Sequence, residues 1–324
     1  MQRLKDRVLT SAANFDPRTL PLALTRSILA VSELISIGFT PDHDLFTYQP
    51  GLPEGMRCYG ARELSLWCVA GPGSGGLLVS RLLATAVLVL VAIGYRPKWT
   101  CVPHWFVAWS LGQSMTMASG AEEAALAATM LIIPFLLGDG RTWHWTRPRE
   151  PLAPVWAGSS YAAWWAIRCQ IAVIYFTASI SKLTTAGWRS GEAMSTVLVD
   201  PFYGLPSGLR QPLEPLLTSE TAIRLLTWGV LVVELLIAVG ALLPRRFRRT
   251  ALCLTVLLHG GIMVAMGLVS FGLVMVALVL LLLVGEPGGP APVSTSDKLA
   301  PAPSEFEPPT RDAPTEILEF RCPR

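Results

Sequence analysis

Long apolar runs, separated by short polar segments that hold most of the charge, dominate residues 19–285 of this 324-residue chain. A membrane-crossing helix needs about 20 mainly apolar residues. The runs therefore predict helices over 19–39, 75–95, 101–118, 122–138, 161–182, 222–243, 250–267 and 270–285. The last two divide one apolar run, Ala251 to Val284, which is broken chiefly by His259-Gly260-Gly261 and Ser270 and fits a hairpin of short helices better than one very long helix. The expected fold is an all-α polytopic membrane protein with about eight transmembrane helices in one bundle. Two long extracytoplasmic loops, 40–74 and 183–221, complete it, and loops of that length are usually functional or partly structured. The second, with Trp188, Met194, Val197, Leu198, Phe202 and Tyr203 among polar residues, suits a short amphipathic helix in the membrane interface.

Composition agrees with this reading. Hydrophobic residues make up 52% of the chain and charged residues only 15%, against roughly 25% charged in soluble domains. The net charge of +3 is too small to suggest nucleic-acid binding, and the basic residues are divided among the connecting segments. By the rule that Lys and Arg collect in cytoplasmic loops, Arg3, Lys5, Arg7, Arg18, Arg96, Lys98, Arg141, Arg147, Arg149, Arg245, Arg246, Arg248 and Arg249 mark the inner side. Only Arg57, Arg62, Arg189 and Arg210 fall outside. Both termini are then cytoplasmic in a bacterial cytoplasmic membrane, and Lys182 lies at the outer face. Residues 1–18 read as a cytoplasmic segment with no cleaved signal peptide, 19–285 as the transmembrane domain, and the proline-rich 286–324 as a disordered cytoplasmic tail.

The chemistry that stands out is ionisable residues inside apolar spans, each a functional-site hypothesis by default. Lys182 ends an apolar helix within QIAVIYFTASISKLTTAGWRSGEAM and is the candidate base; as an alternative, it anchors its helix by snorkelling. Glu122 and Glu123, at the start of the fourth span, either exploit the helix dipole or face Lys182 and tune it. Arg26 and Glu33 share a helix face about 10 Å apart along the axis, too far for a direct bond. Each either pairs with another helix or lines a polar cavity with Arg81, Arg168, Gln170, Arg224 and Glu234. His259 reads as a core residue bonded to a backbone carbonyl. The six cysteines and four histidines form no ligand cluster, so no metal site is expected. Cys58 and Cys68, ten positions apart in the first outer loop, are expected to pair as a disulfide in an oxidising compartment.

Tyr175-Phe176-x-Ala178, followed by Lys182-Leu183, Trp188 and Gly191, and then Glu234, the basic turn at 245–249 and His259 ahead of Gly267-x-x-Ser270-Phe271, resemble the HTTM family. This is the horizontally transferred transmembrane domain shared with vitamin K-dependent gamma-carboxylase. Within it, GYRPKWTCVPHWFVAWSLGQSM, MLIIPFLLGDGRTWHW and the Cys58–Cys68 pair look like the SdpB branch. The resemblance spans about residues 18–285. It implies a membrane protein that works with an SdpA-like partner to mature or export a secreted antimicrobial peptide of the sporulation-delaying type. It also implies a base role for Lys182, by similarity to the carboxylase lysine that deprotonates reduced vitamin K. The chain departs from the carboxylase in carrying Gly120-Ala121-Glu122-Glu123 where that enzyme has an Asn-Asn-His element, and in lacking its large lumenal domain. Glutamate carboxylation is therefore disfavoured. A quinone-using membrane enzyme and a non-catalytic scaffold remain the other readings, and the residues name no cofactor.

Overall fold

The computed structural model describes residues 2–46, 58–71, 73–115 and 120–285. Residues Met1–Glu286 belong to one compact unit. The expected disordered tail and part of the first long loop lie outside the described residues. Among those residues the long elements are helices: α1 (Gln2–Ala13), α2 (Leu20–Phe39), α3 (Ser74–Ala92), α4 (Pro97–Ser114), α5 (Gly120–Leu131), α6 (Pro154–Leu183), α7 (Glu220–Leu242), α8 (Arg245–Met266) and α9 (Val269–Leu280). Five of them, α2, α3, α6, α7 and α8, are long and apolar enough to cross a membrane. The chain is thus a helical membrane protein. The other three expected spans fall on shorter or more polar helices of the same bundle. α4 carries Lys98, His104, Ser110 and Gln113, and α5 is interrupted at Ile132 before a short helix, Ile133–Leu137.

Several helix starts precede the expected ones. Proline in the first turn fits there, because its fixed φ is helical and its missing N–H costs nothing; Pro97 opens α4 and Pro154 opens α6. Pro244 caps α8, so the basic cluster from Arg245 to Arg249 forms the first turns of a helix and not a loop. The turn between α8 and α9 falls at Gly267, whose φ of +68° suits glycine, between the two spans expected over 250–267 and 270–285.

α2 packs between α3 and α9, and α7 packs between α6 and α8. Polar contacts tie the helices as well as apolar ones: Thr25 donates to the Ala277 carbonyl at 3.1 Å, and Ser179 to the Leu231 carbonyl at 3.3 Å. Helix ends are capped by side chains from neighbouring helices. Arg81 donates to the Ile37 and Thr40 carbonyls at the end of α2 and to Asp42. Arg168 donates from Nε to Ala241 at 2.8 Å and from Nη2 to Leu243 at 3.2 Å, at the end of α7. Its guanidinium also lies over the Trp165 ring, 4.0 Å from the centroid.

The bundle therefore has two ends. The basic end holds Phe15, packed on Phe135, Tyr161 and Trp164, and Arg18, which donates to Asp16 and to the Glu150 carbonyl. Burial opposes the charge on Asp16, but the hydrogen bonds and positive charge of Arg18 outweigh it and hold the carboxyl below its ordinary range. The other end, which we term the loop end, carries the segment from Thr184 to Ser219. That segment is not a single amphipathic helix. Gly191, Pro201, Gly204, Pro206 and Pro212 break it into short turns of helix. These pack Leu198, Leu205 and Ile223 into a small core of their own with Met194, Leu209 and Leu226.

Cys58 and Cys68 form a disulfide. It closes a short loop, so its loss costs about 3 kcal/mol in the chain-entropy account. Thermal unfolding in detergent is expected to show a lower Tm for Cys58→Ser, and reductant should lower the Tm of the native protein but not that of Cys58→Ser.

Candidate functional site

α6 and α7 run antiparallel, and the last turn of α6 brings Lys182 over α7. Its side chain does not reach toward the loop end. As helical side chains do, it leans back along its own helix: Nζ lies 3.4 Å from the Ala178 carbonyl and 2.6 Å from Glu234 Oε1. Glu234 is 14 residues into α7 (234 − 220), about 21 Å from its start at 1.5 Å per residue. The pair thus sits well inside the bundle. Glu234 is 7% exposed, and its second oxygen, Oε2, is buried without a hydrogen-bond partner. The Trp188 ring stands over the ammonium, 5.6 Å from centroid to Nζ. Trp188 is held there by a short helix, Ala186–Ser190, which ends at Gly191 with φ +86°, against Arg224 and Trp228.

One layer further in, the buried Tyr175 hydroxyl and His259 Nε2 are hydrogen-bonded at 3.0 Å, joining α6 to α8. The Thr255 side chain also reaches that hydroxyl. Tyr175 lies in the field of Glu234, and His259 in that of Lys182. His259 Nδ1 is buried without a partner. The histidine thus binds a side chain, which corrects the expectation of a backbone carbonyl: the packing of α8 on α6 sets the ring against the Tyr175 hydroxyl. Lys182, Glu234, Tyr175 and His259 form one polar cluster among three helices. Such a cluster can hold a proton, pass it between an amine, a carboxylate, a phenol and an imidazole, or bind a polar group that enters beside Trp188.

The expectation that Glu122 or Glu123 faces Lys182 is corrected: Glu234 takes that place. Glu123 is exposed on α5, and Glu122 lines a separate small cavity with Glu33. The single polar cavity expected from Arg26, Glu33, Arg81, Arg168, Gln170, Arg224 and Glu234 is not formed. Arg81 and Arg168 cap helices, Arg224 pairs with Glu220 on the surface at 2.5 Å, and Gln170 is half-buried apart from them.

Arg26 has a site of its own at the basic end. Fully buried, it donates from Nη1 to His144 Nδ1 and from Nη2 to Thr100 Oγ1, each at 2.9 Å. A guanidinium only donates, so Nδ1 must accept and the imidazole is neutral. The backbone holds the ring in place. The Gly94 carbonyl accepts from the His144 N–H at 2.9 Å, and Gly94 has φ +87° and no room for a Cβ against the imidazole. Burial, with the charges of Arg26 and Arg141 beside it, lowers the His144 pKa from 6.5 to about 3. Thr100, His104 and His144 lie inside the sequence strings that carry the family resemblance, yet nothing in their spacing reveals which helix they meet.

The HTTM domain family matches residues 144–285, the part of the membrane bundle that holds the lysine–carboxylate and tyrosine–histidine pairs. Sporulation-delaying protein SdpB of Bacillus subtilis (strain 168) is 30% identical over 270 residues, covering 83% of this chain and 82% of its own length. A second protein of that strain, described as uncharacterized protein YitO, is 33% identical over 271 residues, covering 83% of this chain and 86% of its own. The chain belongs to the SdpB family of HTTM-domain proteins. No solved structure matches it.

The Arg26–His144 contact makes two predictions. Arg26→Met leaves Thr100 and His144 without their buried donor and is expected to cost about 1–3 kcal/mol, read as a lower Tm in detergent. Between pH 6.5 and about pH 3 the unfolded chain binds a proton at residue 144 that the folded protein does not. Stability from this group is therefore complete above pH 6.5 and declines as pH falls. His144→Gln should flatten that part of the pH–Tm profile.

Proposed function

We propose that this protein is a bacterial membrane component that matures or exports a secreted antimicrobial peptide of the sporulation-delaying type, acting with an SdpA-like partner. In this reading Lys182 is the proton acceptor of its reaction centre. The observation that carries it is the inward turn of Lys182 onto Glu234, 2.6 Å away. A lysine that only anchored a helix would extend its ammonium toward the interface; this one places it within the bundle. Proton transfer from Nζ to Glu234 would turn an ion pair into two neutral groups. Such an exchange is far less costly in a low-dielectric interior than uncovering a lone charge, and it would leave a free amine able to accept a proton from a peptide substrate. The tyrosine–histidine pair beneath offers the onward path. With both termini in the cytoplasm, as the Lys and Arg distribution implies, the loop end faces outward and a secreted precursor would reach the cluster from there, past Trp188.

A second reading, a membrane enzyme that uses a lipid-soluble quinone, draws support from a groove of about 420 Å³ between α7 and α8, lined by Met194, Leu198, Val233, Leu254, Leu258 and Ile262. The groove is apolar, and residues neighbouring Glu234 and His259 in sequence line it.

Mass spectrometry of secreted peptides tests both. Lys182→Arg, which keeps the charge but cannot release its proton near neutral pH, and Glu234→Gln are each expected to abolish the processed peptide while membrane insertion persists. Full processing by Lys182→Arg would leave a scaffold role only. Loss of product on quinone depletion would select the second reading.

A further inference from the structure

A second intramembrane site, remote in sequence from Lys182, centres on Glu33. This carboxylate lies near the loop end of α2, is 6% exposed, and has neither oxygen hydrogen-bonded. It lines a cavity of about 20 Å³ together with Ser32, Ser36, Glu122 and Ser270, enough room for one water-sized occupant. The lining brings oxygen donors from α2, α5 and α9 to one point. The Ser32 hydroxyl gives its proton to the Leu29 carbonyl at 2.8 Å, which leaves its oxygen lone pairs for an acceptor role.

Burying a carboxylate with no partner costs many kcal/mol, so such a group is neutralised by a proton or a cation. Among the described residues no neighbouring group does this. Glu122, in the first turn of α5, has the helix dipole to support its charge, but it adds negative potential at Glu33. On α4, His104 Nε2 stands 3.6 Å from Glu33 Oε2, too long for a hydrogen bond though within ion-pair distance, a contact that neutralises the carboxylate only if the buried imidazole itself takes up a proton. Arg81 of α3 is committed to Asp42 and to α2 carbonyls. Arg26, on α2 itself, is committed to Thr100 and His144, and α9 has no ionisable side chain. Among the described residues no group of three or more His, Cys, Asp or Glu could hold a multivalent metal.

We propose that Glu33, with Glu122 and the serine hydroxyls, binds one small monovalent cation, a proton or Na⁺, inside the membrane domain. The site stands independently of the reading given to Lys182.

The test uses the full-length protein in detergent and N,N′-dicyclohexylcarbodiimide, a hydrophobic reagent that modifies protonated buried carboxyls, with modified residues located by mass spectrometry. Glu33 is expected to be modified at pH 7 in Na⁺-free choline buffer. Suppression of the modification by NaCl identifies Na⁺ as the ligand, and modification indifferent to NaCl identifies the proton. In parallel, the Tm should rise with Na⁺, or with pH falling toward 6.5 from above, where His144 contributes no pH dependence, in the native protein and in His104→Gln, and lose that response in Glu33→Gln. The proposal is overturned if Glu33 stays unmodified at pH 7 without Na⁺. It is equally overturned if Glu33→Gln keeps the native Tm response, or if His104→Gln abolishes it, since the last result would make an internal histidine–glutamate pair the neutralising device.

Discussion

A bilayer offers no water to a guanidinium, an ammonium or a carboxylate, so a charge that enters the bundle has to be met by groups on other helices or at helix ends. That requirement sets the register of this fold. Arg26 fixes α2 against the start of α4 and the segment at His144; Arg168 fixes α6 against the end of α7; Lys182 and Glu234 fix the same two helices at a second level. Two tie points on an antiparallel pair leave little freedom to slide or rotate, and the apolar surfaces between them, which pack as readily in several registers, acquire a unique one.

The same rule separates the two acidic residues of the interior. Glu234 gives one oxygen to a lysine and keeps the other unpartnered beside a tyrosine–histidine pair, whereas Glu33 has neither oxygen bonded. A group that is fully satisfied stabilises and does little else. One left partly satisfied at a cost in stability points to a use, because the missing partner arrives with the substrate, the ion or the proton. The membrane domain thus keeps two incompletely satisfied carboxylates in its interior, one well along α7 and one near the loop end of α2. Its basic end is fastened by fully engaged groups such as Arg18 and Arg141.

Much of the bundle was legible in the sequence, since a twenty-residue apolar requirement leaves a coarse and durable signal. Helix limits were less so, because Pro97, Pro154 and Pro244 start helices within segments whose charge reads as loop. Lys182, Glu234, Tyr175 and His259 could each be singled out as polar residues in apolar surroundings. Their grouping could not, because it depends on how three helices are rotated about their axes, and a lysine side chain some 6 Å long can lean either way. For that reason the sequence offers Glu122 or Glu123 as a partner of Lys182 only as an alternative to a helix-dipole role, whereas the ammonium turns back along α6 to Glu234. The pairing of Arg26 with His144, across 118 residues, had no local signal at all.

The limits of the family match, residues 144 and 285, fall on two contacts already described at the basic end. His144 accepts from Arg26, and Gly285 lies so close to the Phe15 ring that a Cβ there would collide with it. Both partners belong to the part of the chain before the match. The matched segment is therefore not closed at its edges in this chain: cut out at those borders, it would present a vacated imidazole at one edge and an uncovered aromatic pocket at the other. In this branch the preceding 143 residues serve as the other half of its interior.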